Sequence, residues 1–299
     1  MGQGRWTESD YTTYASSTSY RTASRDEVFS NRTMPQALDP AKILIRESCD
    51  SELNPNSTPI IMALDVTGSM GVYAEKIAKT YLPELMGQIL ETMPVKDPHM
   101  MFMGVDDVHV GSSAPLQVSQ FEADIKILEQ LRQVYLVGGG GGNNSESYDL
   151  PWYFAGVKTK IDCFDKRGKK GYLFTFGDEE APYESLSAGE LKKVFGAGQY
   201  KTSTPAQSLA LAQQQYQVFH VVIEQGSYFR SRPGDVTGSW TELLGNNVLF
   251  LRDVEILPEL ILCTLRVAEG ENLREVIAAS KNPAALEHAF KNALKTERD

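Results

Sequence analysis

The apolar residues of this chain fall into short runs, four to six residues long, that alternate with stretches of helical spacing. Runs of this kind are typical of strands that are buried on both faces of a parallel sheet. We therefore predict five core strands, at residues 60–64, 100–105, 171–176, 218–223 and 248–251.

Between these runs, apolar residues recur three or four positions apart, the spacing of one helix face. From Ile77 to Met93 they recur every four positions, and Pro83 should kink or restart that helix. Ser187 and Thr204 stand where N-caps are expected. The remaining helices are predicted at residues 121–134, 148–161, 188–195, 205–216, 257–270 and 271–299. Strands that alternate with helices predict an α/β fold with a doubly wound, mainly parallel, Rossmann-like sheet flanked by helices.

The first 33 residues differ from the rest, because they are rich in Ser, Thr, Tyr and Arg and poor in aliphatic residues. Such a segment cannot build its own core, so it is either a flexible arm or a cover for another surface. Four aromatic residues favour the second alternative: Trp6, Tyr11, Tyr14 and Tyr20.

Composition narrows the class of protein. The net charge of −10 and pI of about 5.0 argue against general nucleic-acid binding, which requires a basic face. The cysteines, Cys49, Cys163 and Cys263, are odd in number and far apart, which favours free thiols in a reducing compartment. The N-terminus lacks the pattern of a signal peptide, and no apolar run has the length of a membrane span. We therefore expect a cytoplasmic protein without a membrane partner.

Polar residues follow two of the predicted strands directly. Asp65, Thr67 and Ser69 come after the first strand, and Asp178 follows the strand at 171–176. Because ligands bind beyond the carboxyl ends of parallel strands, these side chains are expected on one rim of the sheet. Carboxylate and hydroxyl oxygens are ligands for hard divalent cations, and Mg²⁺ in particular uses few carboxylates.

A glycine-rich loop at residues 138–142 can bring backbone and further oxygen donors to this rim. Asn143 follows the glycines, and the three residues after it are candidate ligands: Asn144, Ser145 and Glu146.

These motifs resemble those of von Willebrand factor A domains. The stretch "DVTGSM" (residues 65–70) is similar to the D-x-[ST]-x-S motif of the metal-ion-dependent adhesion site. "GGGGGNNSESYDLPWYFA" is similar to the glycine-rich second loop, and "LFTFGDEEAP" to the strand that ends in the last acidic residue. The resemblance covers roughly residues 59–270. It divides the chain into a polar N-terminal extension (1–58), the domain (59–270) and a C-terminal helical tail (271–299).

The resemblance implies a surface Mg²⁺, or another divalent cation such as Mn²⁺ or Ca²⁺. Asp65, Thr67 and Ser69 would be ligands, and Asp178 would act through water. The second loop departs from the usual threonine, and Glu146 aligns with a glutamate that ligates metal in some relatives. The resemblance therefore favours Glu146, with Asn144 or Ser145 as the alternative. In the family the cation is not catalytic but takes an Asp or Glu from a partner protein. Intracellular members often work beside AAA+ ATPases, so an adaptor for such an ATPase is the expected function.

Two alternatives use the same oxygen donors. The first is a metal-dependent phosphoryl hydrolase, and the second is a cation that only stabilises the fold. Phosphate binding by the glycines is disfavoured because no Gly-Lys-Ser/Thr follows them. Asp106 and Asp107 are interpreted as solvated turn residues or an accessory metal site, and His220 as a satisfied core histidine.

Overall fold

Four of the strands that the structure describes have seven or eight residues, and the other four have three or four. The computed structural model describes residue 13 and residues 24–138 and 143–296, so most of the N-terminal arm and Gly139–Gly142 lie outside it. In these residues the strands are β1 Arg46–Ser48, β2 Thr58–Asp65, β3 Pro98–Val105, β4 Leu116–Val118, β5 Thr159–Ile161, β6 Gly171–Gly177, β7 Tyr216–Ile223 and β8 Val248–Leu251.

The helices connect successive strands and cover the sheet. They are α1 Arg25–Val28, α2 Val72–Lys76, α3 Leu82–Thr92, α4 Lys126–Leu131, α5 Asp149–Lys158, α6 Asp162–Arg167, α7 Ala188–Phe195, α8 Pro205–Gln213, α9 Ser227–Ser231, α10 Pro233–Leu244, α11 Leu257–Ala268, α12 Leu273–Ala278, α13 Pro283–Ala289 and α14 Lys291–Thr296. A π-helical turn, Ile77–Tyr81, joins α2 to α3, and shorter 3₁₀ turns occur at Gln36–Leu38, Pro40–Lys42, Gly245–Asn247 and Val254–Ile256.

The central sheet has the strand order β4-β3-β2-β6-β7-β8, and every pair is parallel except β3–β4. β2 lies between β3 and β6. The chain adds β3 and β4 on one side of β2 and then β6, β7 and β8 on the other. The strand order therefore reverses at β2. The connections that follow β2 and β6 run in opposite directions there and leave a crevice between them. That crevice lies beyond the carboxyl ends of β2 and β6.

The sheet separates two apolar cores. Along β2, Ile60, Met62 and Leu64 belong to one core, whereas Ile61 and Ala63 belong to the other. The first core is completed by apolar residues of α3, α4 and α11, and the second by those of α5, α7, α8 and α10. The alternation has the period of two that a strand dictates, so the fold is an α/β sandwich with both faces covered.

Both flanking segments contribute to the first core. Before β1, Val28, Phe29 and Leu38 are buried in it, and after α11 the tail adds Leu286 and Phe290 among others. β1 also pairs with β5 in a separate two-stranded sheet. The parts of the extension and tail that the structure describes therefore pack on the central sheet.

The five predicted core strands and the interruption of the helix at Pro83 are confirmed. Pro83 lies in the first turn of α3, directly after the π-helical turn, where its missing N–H is tolerated. The helix predicted at 121–134 is wrong in its first part. Glu122 instead pairs with Met100 through two backbone hydrogen bonds of 2.8 and 2.9 Å, so α4 begins only at Lys126.

The N-cap of α8 provides a test of local stability. The Thr204 hydroxyl accepts from the Gln207 N–H, and the Gln207 side chain accepts from the Thr204 N–H in return. We expect Thr204→Ala to lower the free energy of unfolding by about 1 kcal/mol, measured by urea denaturation. The exposed neighbour Thr202 is the control, and an equal loss in Thr202→Ala would contradict the assignment of the cap.

Candidate metal centre

Asp65 and Asp178 meet at the carboxyl edge of two adjacent strands. Asp65 is the last residue of β2, and Asp178 directly follows β6. The two strands pair in parallel, with Leu64 opposite Phe176, so their ends are level. Neither aspartate is exposed to solvent.

A continuous series of short oxygen contacts joins the two aspartates. The Thr67 hydroxyl donates to Asp65 Oδ1 at 2.6 Å, and the Ser69 hydroxyl donates to Asp178 Oδ1 at 2.7 Å. The two hydroxyl oxygens lie 3.1 Å apart. Four of the predicted ligands, Asp65, Thr67, Ser69 and Asp178, are thus brought together.

The contact between the hydroxyls has an electrostatic consequence. A hydroxyl carries one proton. Either hydroxyl could donate to the other, but when both donate to the ionised carboxylates, no proton remains for the contact between them. The Thr67 and Ser69 oxygens therefore turn lone pairs toward each other. A cation shared by both oxygens would stabilise this arrangement.

The three candidates from the second loop occupy different environments. Asn144 is exposed, and its carbonyl accepts from the Glu180 N–H. The Ser145 hydroxyl contacts the backbone carbonyls of Glu146 and Glu180 rather than another candidate ligand. Glu146 is buried, and its Oε2 atom has no hydrogen-bond partner. Of the three side chains, Glu146 alone is both buried and free of a competing contact.

Tyr148 supports Asp65 from behind. Its hydroxyl donates to Asp65 Oδ2 at 2.9 Å, and its ring packs edge-on against His220 and Trp240. Gly177 makes this possible, because a Cβ atom there would lie 1.9 Å from the Tyr148 hydroxyl oxygen. Tyr148 was not predicted as a site residue, because its position three residues before Pro151 gave no chemical signal.

The N-terminus of α9 supports Asp178 in the same way. The Tyr228 N–H donates to Asp178 Oδ2 at 2.9 Å, and the Ser227 N–H donates to the Ser69 carbonyl at 3.1 Å. Gly226 lies against Asp178, leaving no room for a Cβ atom. The candidate site is therefore built from four chain segments that are distant in sequence, and the segment at residues 226–228 was not predicted.

Glu179 is a further acidic residue that sequence analysis missed. Its carboxyl lies within the influence of Asp65, Asp178 and the Ser69 hydroxyl. The residue is only 6% exposed, and its Oε2 atom has no hydrogen-bond partner. The signal was present in the sequence as the pair of glutamates after Asp178, but such pairs are usually exposed.

The site concentrates negative charge away from water. Burial, and then the neighbouring Asp178, raises the pKa of Asp65, and burial raises that of Asp178. Burial, Asp65 and Glu179 raise the pKa of Glu146, while burial and the two aspartates raise that of Glu179 to about 8. Among the described residues, no lysine or arginine forms an ion pair with these four carboxyls. A bound cation would compensate the charge that the protein leaves unpaired.

Asp106 and Asp107 are buried, so the interpretation as solvated turn residues is wrong. Asp107 accepts from the Ser147 hydroxyl at 2.9 Å and from the Asn143 amide, and Asp106 accepts from the Ser112 hydroxyl at 2.5 Å. Their carboxylates hold the second loop and the turn after β3 in place.

His220 is a core residue, as predicted, but it is not fully satisfied, because its buried Nε2 atom has no hydrogen-bond partner. Its ring stacks on Trp240 with centroids 3.4 Å apart, and its Nδ1 atom contacts the Thr175 hydroxyl at 2.8 Å. Burial lowers the pKa of His220, so the ring is neutral. The cysteines, Cys49, Cys163 and Cys263, are free thiols.

The donor set fits a hard divalent cation. Oxygen ligands of an octahedral Mg²⁺, each 2.0–2.1 Å from the ion, are about 2.9 Å from one another. The successive contacts of 2.6, 3.1 and 2.7 Å between Asp65, Thr67, Ser69 and Asp178 are close to that spacing. Within the described ranges, no three Asp, Glu, His or Cys side chains converge as metal ligands. The hydroxyls must therefore supply much of the coordination.

Comparisons with known proteins give little guidance. No protein-family model matches the chain, and no curated protein matches it. Two crystal structures of the pilus adhesin SpaC from Lactobacillus rhamnosus GG have TM-scores of 0.44 and 0.45 at 11% and 10% identity. The matches cover 73% of this chain but only 30% and 31% of the adhesin chains. No helix in the part of the chain that the structure describes has the length and apolar character to cross a membrane.

Proposed function

We propose that residues 59–270 are a von Willebrand factor A-type domain that binds a divalent cation and, through it, an acidic side chain of a partner protein. Asp65, Thr67, Ser69 and Asp178 would hold the cation. Glu146 is the proposed ligand from the second loop, and its carboxyl would have to move toward the two aspartates, because no three acidic side chains of the described residues converge in this structure. Mg²⁺ is the proposed ion, and Mn²⁺ or Ca²⁺ could replace it. The contact series from Asp65 to Asp178 is the observation that carries this proposal.

When bound, the cation would supply a positive charge with an open coordination position on the surface of a strongly acidic protein. The chain's own residues fix where that charge is held. Tyr148 and the N-terminus of α9 orient the two aspartates, and burial keeps water from competing for their oxygens. Rigid supporting contacts of this kind determine the geometry that a partner's carboxylate must match.

We propose that the protein uses this site as a non-enzymatic adaptor. The partner would be a protein that presents an Asp or Glu, and an AAA+ ATPase is the class that the resemblance names. A metal-dependent phosphoryl hydrolase is the alternative, and it would use the same oxygen donors.

Linkage between cation binding and folding gives the test. We expect 5 mM Mg²⁺ to raise the Tm of chelator-treated protein by roughly 5 °C, because a ligand that binds only the folded state stabilises it. The shift should disappear in Asp65→Asn. Glu184→Gln removes a charge from an exposed residue near the site and should keep the full shift.

Three outcomes separate the functions. Retention of the shift in Asp65→Asn would contradict the proposed ligand set. Hydrolysis of a phosphomonoester that requires Asp65 would favour the hydrolase. A cation that raises the Tm without changing affinity for any acidic partner would favour a purely structural role.

A further inference from the structure

A groove with a volume of about 370 Å³ lies on the C-terminal tail, between α12, α13 and α14. Arg274, Ile277 and Ala278 line it from α12, and Pro283 and Glu287 line it from α13. Counted from the first residue of each set, the others follow at three or four positions, which is the spacing of one helix face. Other residues of the same helices are buried in the first core, so the groove is left between helices that are docked on the sheet.

The third wall of the groove, α14, combines basic and apolar side chains. Lys291, Leu294 and Lys295 line the groove with the same helical spacing. The Lys291 ammonium lies 3.5 Å from the centre of the Phe250 ring and 3.7 Å from Glu224 Oε1, so its position is held by the sheet. Lys295 is exposed and forms no ion pair with a described residue. The wall therefore offers one anchored lysine and one that remains for a ligand.

The charge of the groove is opposite to that of the chain as a whole. The chain has 39 acidic and 29 basic residues, whereas three of the four charged residues that line the groove are basic. Burial lowers the pKa of Lys291, and the positive charges of Arg252 and Lys295 add to this effect against the opposing influence of Glu224. An anion bound at the groove would relieve the repulsion between the lysines, whereas the acidic surface elsewhere would repel the same anion.

Apolar side chains form the rest of the lining, and an apolar groove between helices is a surface on which an amphipathic helix docks. We propose that the groove binds an acidic amphipathic helix of a partner protein. Apolar side chains of that helix would lie against Ile277 and Leu294, and its carboxylates would pair with Lys291 and Lys295. None of the candidate cation ligands lines the groove, so this proposal does not depend on the cation.

A fluorescein-labelled synthetic peptide provides the probe. It is a helix of about four turns, with leucine at every third or fourth position and glutamate on both sides of the leucines. Fluorescence anisotropy measures its affinity for the whole chain. We expect Lys295→Glu to weaken binding roughly tenfold at low salt, because an attraction becomes a repulsion. Higher ionic strength should weaken binding to wild type and reduce the difference between the two proteins.

Lys192→Glu is the matched control and should bind the peptide as wild type does. Lys192, like Lys295, is exposed in the last turn of a helix, but its helix, α7, packs on the opposite face of the sheet. Peptides with lysine in place of glutamate, or serine in place of leucine, should not bind.

Three results would overturn the proposal. The first is the absence of peptide binding to wild type, and the second is equal affinity in wild type and Lys295→Glu or for the acidic and basic peptides. The third is a dimer in sedimentation equilibrium that Lys295→Glu disrupts, because the occupant of the groove would then be a second copy of this chain.

Discussion

Asp149→Asn should stabilise the protein by about 3 kcal/mol more at pH 8.5 than at pH 5. Asp149 lies in the first turn of α5, is 0% exposed, and has no hydrogen-bond partner for either carboxylate oxygen. Burial, opposed by His109, raises its pKa from 3.8 to about 7. The folded state therefore keeps a proton that the unfolded state releases.

The sign of the effect follows from that difference. Below pH 4 both states are protonated, and the contribution of Asp149 to stability is fully present. As the pH rises from 4 to 7, the unfolded state has already lost its proton, so wild type loses stability. Asparagine has the same shape but does not titrate, so the variant escapes this loss.

Urea denaturation in the presence of a chelator, at pH 5 and pH 8.5, measures the effect without cation binding. Asp235→Asn is the matched control, because Asp235 also lies in the first turn of a helix but is exposed. The argument would be contradicted if the urea midpoint of Asp149→Asn exceeded the wild-type midpoint by the same amount at both pH values.

The central strands could be predicted from sequence because burial on both faces leaves a direct trace, a continuous apolar run. The same logic placed Asp65 and Asp178 on one rim, since the ends of parallel strands share an edge. The short strands β1, β4 and β5 have three residues each, too few to establish a period. Their pairing depends on neighbours that the sequence does not identify.

The supporting residues of the candidate site were missed for a related reason. Tyr148 and Gly226 act through contacts with residues 83 and 48 positions away, Asp65 and Asp178 respectively. Neither residue type signals such a contact by itself. Glu179 was visible as an acidic residue, but its burial depends on how Trp240 and the α9–α10 region pack over it.

The candidate site is also where the structure departs most from rules of stability. Asp65, Glu146, Asp178 and Glu179 are buried together without a basic partner in the described chain, and like charges raise one another's pKa. Asp107 is also buried, but its carboxylate has hydrogen-bond donors. Buried like charges that lower the stability of the fold are expected at functional sites, where they serve binding.

Gly226→Ala should weaken cation binding at least tenfold and lower the free energy of unfolding by about 2 kcal/mol. The backbone of Gly226, with φ −64° and ψ 155°, is allowed for alanine, so the effect comes from contact alone. A Cβ atom at this position would lie 2.2 Å from both Cβ and Oδ2 of Asp178. Either Asp178 or the Tyr228 N–H that holds it must therefore move.

Gly238→Ala provides the matched control, because Gly238 is exposed in α10 and a Cβ atom there would meet nothing within 4 Å. That substitution should raise stability by up to about 1 kcal/mol through helix propensity and leave cation affinity unchanged. Calorimetric titration with Mg²⁺ and urea denaturation of both variants measure the two effects. Wild-type Mg²⁺ affinity in Gly226→Ala would show that the position of Asp178 is not important for the cation, and would remove Asp178 from the proposed ligands.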